Sequence, residues 1–279
     1  MSAELFEGAT RARKKIRKQW KLPLPQIPRD PTLPVTTNYT MAFCTILKDC
    51  KWQVQHALPW NLMVLWPHRS WVCIHLVDFG SKDGGLEFIK DNCKFAMANG
   101  FLRLYTASGE PFHAAKAKNT ALQAASQDIL VNFDVNNLLE AESAPKILDL
   151  FKQGANVFHM EGRQGTCGRF ACWREDFHKI GGYDEDCHPV DGPDVDLLER
   201  LRLLHKGRGV RREGMGTHGT FAIPNKKKQI LSGVKSLNMT WQEMETGNCL
   251  EFQKRRSSFG CVRNLGRVPA LSIKEVLPE

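Results

Sequence analysis

Blocks of apolar residues alternate with amphipathic stretches through the first two thirds of the chain. Tyr39–Leu47 is an apolar and β-branched run, and Gln53–Leu65 has the spacing of a helix. Trp71–Val77 reads as a buried strand that ends at Asp78. Leu86–Ala98 reads as a helix stopped by Gly100, and Leu102–Thr106 as a short strand. An alanine-rich helix is predicted over His113–Ala125, then a strand over Ile129–Phe133 running into Asp134. Pro145–Gln153 is helical in pattern, and Asn156–Met160 reads as another strand. Strands alternating with helices of this length predict an α/β fold with a mainly parallel central sheet and helices on both faces.

The ends differ from this middle. Residues 1–35 join a basic stretch, Thr10–Trp20, to Pro23, Pro25, Pro28, Pro31 and Pro34, which favour extended chain. They read as a strap or linker. Residues 36–245 carry the domain, and 246–279 read as a C-terminal extension. Within 174–202 a helix is expected to end at Gly181-Gly182, and Pro193 is placed to begin another.

The composition is that of a globular protein, with 42% hydrophobic and 25% charged residues among 279. The net charge of +9 favours anionic partners. The basic runs lack the interleaved aromatics of a nucleic-acid surface, which argues against that partner. Nine cysteines without a C-x-x-C pair fit free thiols in a reducing compartment better than a disulfide framework or a zinc ribbon. Met1–Thr10 contains Glu4 and Glu7 and no apolar core, so it does not read as a secretory signal. No run of about 18 apolar residues encodes a membrane span. Together these features predict a cytoplasmic protein.

Ligands of parallel sheets bind beyond the carboxyl ends of the strands, so acidic strand ends carry the first candidates. Asp78, followed by Gly80-Ser81-Lys82-Asp83-Gly84, is suited to accept hydrogen bonds from a base or ribose, or to close a turn without a ligand. Lys116 and Asn119 lie one helical turn apart and could meet a diphosphate and its neighbouring sugar, or form a solvated face. Asp134-Val135-Asn136 ends an apolar strand with oxygen donors of the kind that hold a divalent ion. Asp194 and Asp196 fall in the first turn of the Pro193 helix, where they complement the helix dipole; Asp194 also suits a general base at the mouth of a site. Met215 and His218 could close on one metal, although a lone histidine more often has a structural role.

The order of these signals resembles the GT-A glycosyltransferases. Val77-Asp78-x-Gly80-Ser81-x-Asp83-Gly84, then His113-x-x-Lys116-Ala117-x-Asn119, then Phe133-Asp134-Val135-Asn136 is similar to a family-two-type nucleotide-sugar domain. Pro193-Asp194-Val195-Asp196, Met215-x-x-His218 and Leu231–Leu237 resemble the C-terminal half of the β-1,4-galactosyltransferase group. The resemblance implies Asp194 as catalytic base, with Gly192 and Asp196 on the acceptor side. It implies Asp78, Lys116, Asn119 and Asp134 around the nucleotide-sugar. Met215 and His218 would hold manganese, or magnesium, with Asn136, which stands where the group has the last acid of its Asp-Val-Asp.

The implied activity is metal-dependent, inverting transfer of a hexosyl unit, of galactose or N-acetylhexosamine type, from a UDP-sugar to a hydroxyl of a carbohydrate or glycosylated acceptor. A catalytically weak or inactive nucleotide-sugar-binding protein is the alternative, and a nucleic-acid-binding α/β protein a more distant one.

Overall fold

The computed structural model describes residues 37–107, 112–161, 168–189, 192–214, 221–222, 241–264 and 271–278. The chain opens with β1 (Met41–Leu47), α1 (Lys51–Leu65), β2 (Val72–Asp78), α2 (Gly85–Asn92), α3 (Lys94–Ala98) and β3 (Leu102–Ala107). Next come α4 (Ala114–Gln123), β4 (Ile129–Asn132), β5 (Asn137–Leu138), α5 (Ser143–Lys152), β6 (Val157–Glu161), β7 (Phe170–Trp173) and α6 (Arg174–Lys179). The described residues end with α7 (Pro193–Leu204), β8 (Val210–Gly214), β9 (Phe221–Ala222), α8 (Trp241–Phe259) and β10 (Ile273–Val276).

Eight strands form one sheet in the order β10-β3-β2-β1-β4-β7-β6-β8. The β1–β2, β2–β3, β1–β4 and β6–β8 pairs are parallel, and β10, β7 and β6 join antiparallel to β3, β4 and β7. The central strands β1 and β2 are buried on both faces, which is why they read as unbroken apolar runs. Side chains alternate across the pleat. Ala42 and Cys44 enter a cluster with Ala117, Ala121, Phe177, Leu197 and Phe252 from α4, α6, α7 and α8. Met41, Phe43 and Leu47 point the other way, where a Cβ on Gly85 at the start of α2 would lie 3.3 Å from Leu47.

Chain order reverses at β1, with β2 on one side and β4 on the other. This opens a crevice at the carboxyl ends of those strands, where such sheets take ligands.

Three elements differ from expectation. The helix over Leu86–Ala98 is broken at Cys93 (φ −117°, ψ 15°) into α2 and α3. β7, four residues long, was not expected. Residues beyond 245 pack on the rest of the described chain: β10 pairs with β3, and Asn248 and Phe252 of α8 are buried. Among the described residues no helix is long and apolar enough to cross a membrane.

Candidate functional site

At the carboxyl ends of β1 and β2, two loops are tied to each other. Asp49 accepts from the Lys82 N–H at 2.7 Å, and Asp83 accepts from the Lys51 N–H at 2.6 Å. Lys48 donates to the Gly80 carbonyl at 2.8 Å. Asp78 is 1% exposed and accepts from the Ser81 N–H at 3.2 Å, so its carboxylate closes the turn foreseen for it. Burial pushes this carboxyl above its ordinary range, against the hydrogen bonds from Ser81 and Gly80 and the charge of Lys48.

The helix α4 points at the next strand end. His113 caps it: Nδ1 faces the Lys116 N–H at 3.5 Å, and Nε2 lies 2.9 Å from the Cys187 carbonyl, the tautomer with hydrogen on Nε2. Lys116 is half-buried. The Asn119 amide is fully buried and bonded inside the protein. It accepts from the Tyr183 N–H at 2.7 Å and donates to the Tyr183 carbonyl at 3.0 Å and to Glu185 at 2.8 Å. The side chain that α4 sends into the site is Lys118.

Lys118 meets Asp194, the second residue of α7, with Nζ 2.7 Å from Oδ1 and 2.8 Å from Oδ2. The Tyr183 hydroxyl donates to the same Oδ1 at 2.7 Å. Burial, and then the Asp194 charge, hold the Tyr183 phenol well above its ordinary pKa, so it is a neutral donor. Lys118 also lies 5.6 Å from the centre of the Tyr183 ring. Gly168 packs against the carboxylate: a Cβ there would come within 2.5 Å of Asp194 Oδ2. Asn132 holds the Gly168 carbonyl at 2.6 Å.

Asp134, at the end of β4, joins this group. Burial raises its carboxyl and Asp194 raises it further, while Lys118 and Arg169 draw it down. Two carboxylates and two cations thus share one end of the sheet. Asn61 of α1 fixes the turn beyond Asp134 by donating to the Asn137 carbonyl at 2.8 Å and accepting from the Leu139 N–H at 2.8 Å. Asn136 Oδ1 accepts from the Asn137 amide at 2.9 Å. Asp134 and Asn136 offer oxygen donors suited to a hard cation. Among the described residues no group of three acidic, histidine or cysteine side chains could hold a metal ion by itself. Met215 and His218 lie outside the described residues.

Asp196, expected on the acceptor side, is buried. It is 1% exposed and pairs with Arg200 at 2.6 Å, one turn along α7. Arg200 in turn donates to the Gly182 carbonyl at 2.7 Å. Gly192 is the left-handed cap of α7 (φ 93°), where an added Cβ would lie 3.3 Å from Phe252 and 3.4 Å from Asn248 of α8. The structure gives both residues a part in building the loop behind Asp194. The sequence signals had passed over Lys118, Tyr183, Arg169 and Gly168, which lie beside or between the recognised motifs.

No protein-family model and no curated protein sequence matches the chain. Solved structures do. The fold is similar to that of the mannosyltransferase PcManGT from Pyrobaculum calidifontis in complex with GDP-Man and Mn2+ (TM-score 0.56, 16% identity, covering 91% of this chain and 78% of that one). It is similar to glucosyl-3-phosphoglycerate synthase from Mycobacterium tuberculosis in complex with Mn2+ and UDP-glucose (0.56, 13%, 90% and 95%). It also resembles S. aureus TarS 1–349 in complex with UDP-GlcNAc (0.57, 13%, 79% and 73%). With its mainly parallel sheet, helices on both faces and acidic strand end at the reversal of strand order, this chain has the GT-A fold.

Proposed function

We propose that the chain is a glycosyltransferase that takes a hexosyl unit from a UDP-sugar and passes it to an acceptor hydroxyl with inversion. The observation that carries the reading is the convergence of Asp194, at the start of α7, with Asp134, at the end of β4, on the ligand-binding edge of the sheet. Solved neighbours of the same fold hold UDP-glucose, UDP-GlcNAc or GDP-Man, two of the three with Mn2+. The C-terminal motifs resemble those of the β-1,4-galactosyltransferase group.

In this reading the acceptor's O–H proton passes to the Asp194 carboxylate. The freed oxygen bonds to the anomeric carbon from the face opposite the nucleotide. The bond from that carbon to the diphosphate breaks, and its electron pair leaves on UDP. Base assistance of this kind is worth roughly 10²–10⁴ in rate. Lys116 supplies positive charge to the diphosphate, and Asp78 closes the loop beside the nucleotide. A divalent cation at Asp134 and Asn136, with Met215 and His218, would add charge against the departing diphosphate.

Melting temperatures with UDP, GDP and ADP, each with and without manganese, test the site. UDP with manganese raises the midpoint most, since a ligand at about 100 times its Kd adds about 2.7 kcal/mol. Equal shifts for all three nucleotides remove the uridine assignment. Asp194→Asn keeps the UDP shift and loses transfer. A second reading, a nucleotide-sugar-binding protein without turnover, is favoured by Asn136 in place of an acid; absence of metal-dependent donor hydrolysis supports it.

A further inference from the structure

The Asp194 carboxylate is held unevenly. Oδ1 receives two donors, the Tyr183 hydroxyl at 2.7 Å and the Lys118 ammonium at 2.7 Å. Among the described residues Oδ2 receives Lys118 alone, at 2.8 Å. A carboxylate oxygen accepts about two hydrogen bonds, so Oδ1 is filled and Oδ2 keeps one acceptor position. The neighbour across Oδ2 is Gly168, whose missing side chain is what leaves that oxygen approachable. Lys118 is itself held. Its side chain is 11% exposed, and it sits over the Tyr183 ring. Tyr183 is fixed through both backbone atoms by Asn119, one residue along α4 from Lys118. Helix and loop therefore form a frame around one carboxylate. The charged groups beside it are Lys118 from α4 and Asp134 just past β4, and Asp134 in turn feels Arg169, the residue before β7.

We propose that Lys118 is the positioning residue of this site, acting with Tyr183 to occupy Asp194 Oδ1 and to aim Oδ2 at the acceptor hydroxyl. The assignment rests on the transferase reading above and adds to it which oxygen takes the proton and what holds it there. Lys118 does not touch the sugar. Its ammonium fixes the orientation of the carboxylate, and the Tyr183 hydroxyl prevents the two oxygens from exchanging places. The motif resemblance gives no role to position 118, because the lysine it aligns is Lys116.

The test uses UDP-glucose with manganese, water serving as acceptor, on the full chain and on Asp194→Asn, Lys118→Gln, Lys118→Arg and Tyr183→Phe. A carboxylate that swings off line by about 1 Å costs about 100-fold in rate. Lys118→Gln is therefore expected to lower kcat for UDP release by about 10- to 100-fold while KM for UDP-glucose stays within about threefold. Lys118→Arg recovers much of the loss, because a guanidinium still donates to both oxygens, and Tyr183→Phe gives a smaller kcat loss of the same kind. A rise in KM at unchanged kcat would place Lys118 on the donor phosphates and overturn the proposal. Arginine performing no better than glutamine overturns it as well. If the wild-type chain releases no UDP, or Asp194→Asn releases it at the wild-type rate, the transferase reading fails. The clamp is decided independently by crystal structures of the wild type, Lys118→Gln and Lys118→Arg. The Asp194 carboxylate turns away from its present orientation in the glutamine variant and keeps it in the arginine variant. An unmoved carboxylate in Lys118→Gln overturns the proposal whatever the turnover.

Discussion

Asn119 grips Tyr183 by both backbone groups, accepting from its N–H at 2.7 Å and donating to its carbonyl at 3.0 Å across 64 residues of sequence. Asn119→Ala leaves the Tyr183 N–H buried without that acceptor, which costs about 1–3 kcal/mol, and removes the lever that sets the ring beside Asp194. The expected result is a urea midpoint lowered by that amount together with a fall in turnover. A variant as stable as wild type would show that the loop holds itself.

Gly168→Ala probes the space beside the carboxylate. The new methyl would come within 2.5 Å of Asp194 Oδ2, and that oxygen is clamped from the other side by Lys118. Lys118 and Tyr183 hold the carboxylate in place, so moving it costs stability as well, about 1–3 kcal/mol. Turnover falls by about 100-fold because the displaced atom is the reacting one. The decisive comparison is turnover against melting temperature in the same preparation.

His75 governs part of the acid limit of stability. It is 1% exposed and stacked on Tyr105, and neither ring nitrogen has a hydrogen-bond partner among the described residues. Burial, and then Arg103, lower its pKa from 6.5 to about 4. The folded state keeps the ring neutral, whereas the unfolded chain takes up a proton below about 6.5, so the unfolded state binds more protons in this window. Stability contributed by the neutral ring is therefore present above pH 6.5 and is lost as pH falls towards 4. The full shift is worth on the order of 3 kcal/mol. His75→Phe keeps the stacking and cannot titrate. Its advantage over wild type, read from urea midpoints at pH 7, 5.5 and 4, widens as pH falls. Burial-raised Asp78, Asp134 and Glu185 titrate with the opposite sign, but they are common to both proteins and cancel in the difference. Parallel curves would remove His75 from the account.

Manganese is expected to bind weakly to the free protein and much better with UDP present. Asp134 already shares its surroundings with Lys118 and Arg169, and Asn136 brings no charge, so the diphosphate must supply negative ligands. Calorimetric titration into wild type and His218→Ala, with and without UDP, reads this directly. Equal affinity in the two proteins with UDP bound excludes His218 from the metal set.

The sheet was legible because β1, β2 and β4 are buried on both faces and therefore appear as unbroken apolar runs, each followed by polar residues where the strand ends. Other elements left fainter marks. β10 is the edge sequence Ile273-Lys274-Glu275-Val276, half of it charged and exposed. α8 buries Met244, Asn248 and Phe252 at four-residue spacing, and the polar residue in the middle hides the stripe. At the site, Asp134 and Asp194 were visible from their positions at a strand end and a helix start. Lys118 was not, because a lysine in a helix reads as solvated until its partner is known, and Asp194 lies 76 residues away. Asn119 and Asp196 show the converse: a carboxamide and a carboxylate that look free in sequence bond Tyr183 and Arg200 in the fold.

The loop that carries Tyr183 is tied down from far downstream. Asp184, 2% exposed, receives Arg255 at 2.8 Å and Arg263 at 3.0 Å, which follow it by 71 and 79 residues. During synthesis a chain that has emerged through α7 has Lys118 and Asp194 outside the ribosome, yet Asp184 is a carboxylate awaiting both counter-charges. A buried carboxylate without partners is costly, so the loop cannot settle until residues 255–264 emerge. Strands β1–β4 and β6–β8 can pair as they are translated, while the working arrangement around Asp194 waits for α8 and the residues just after it.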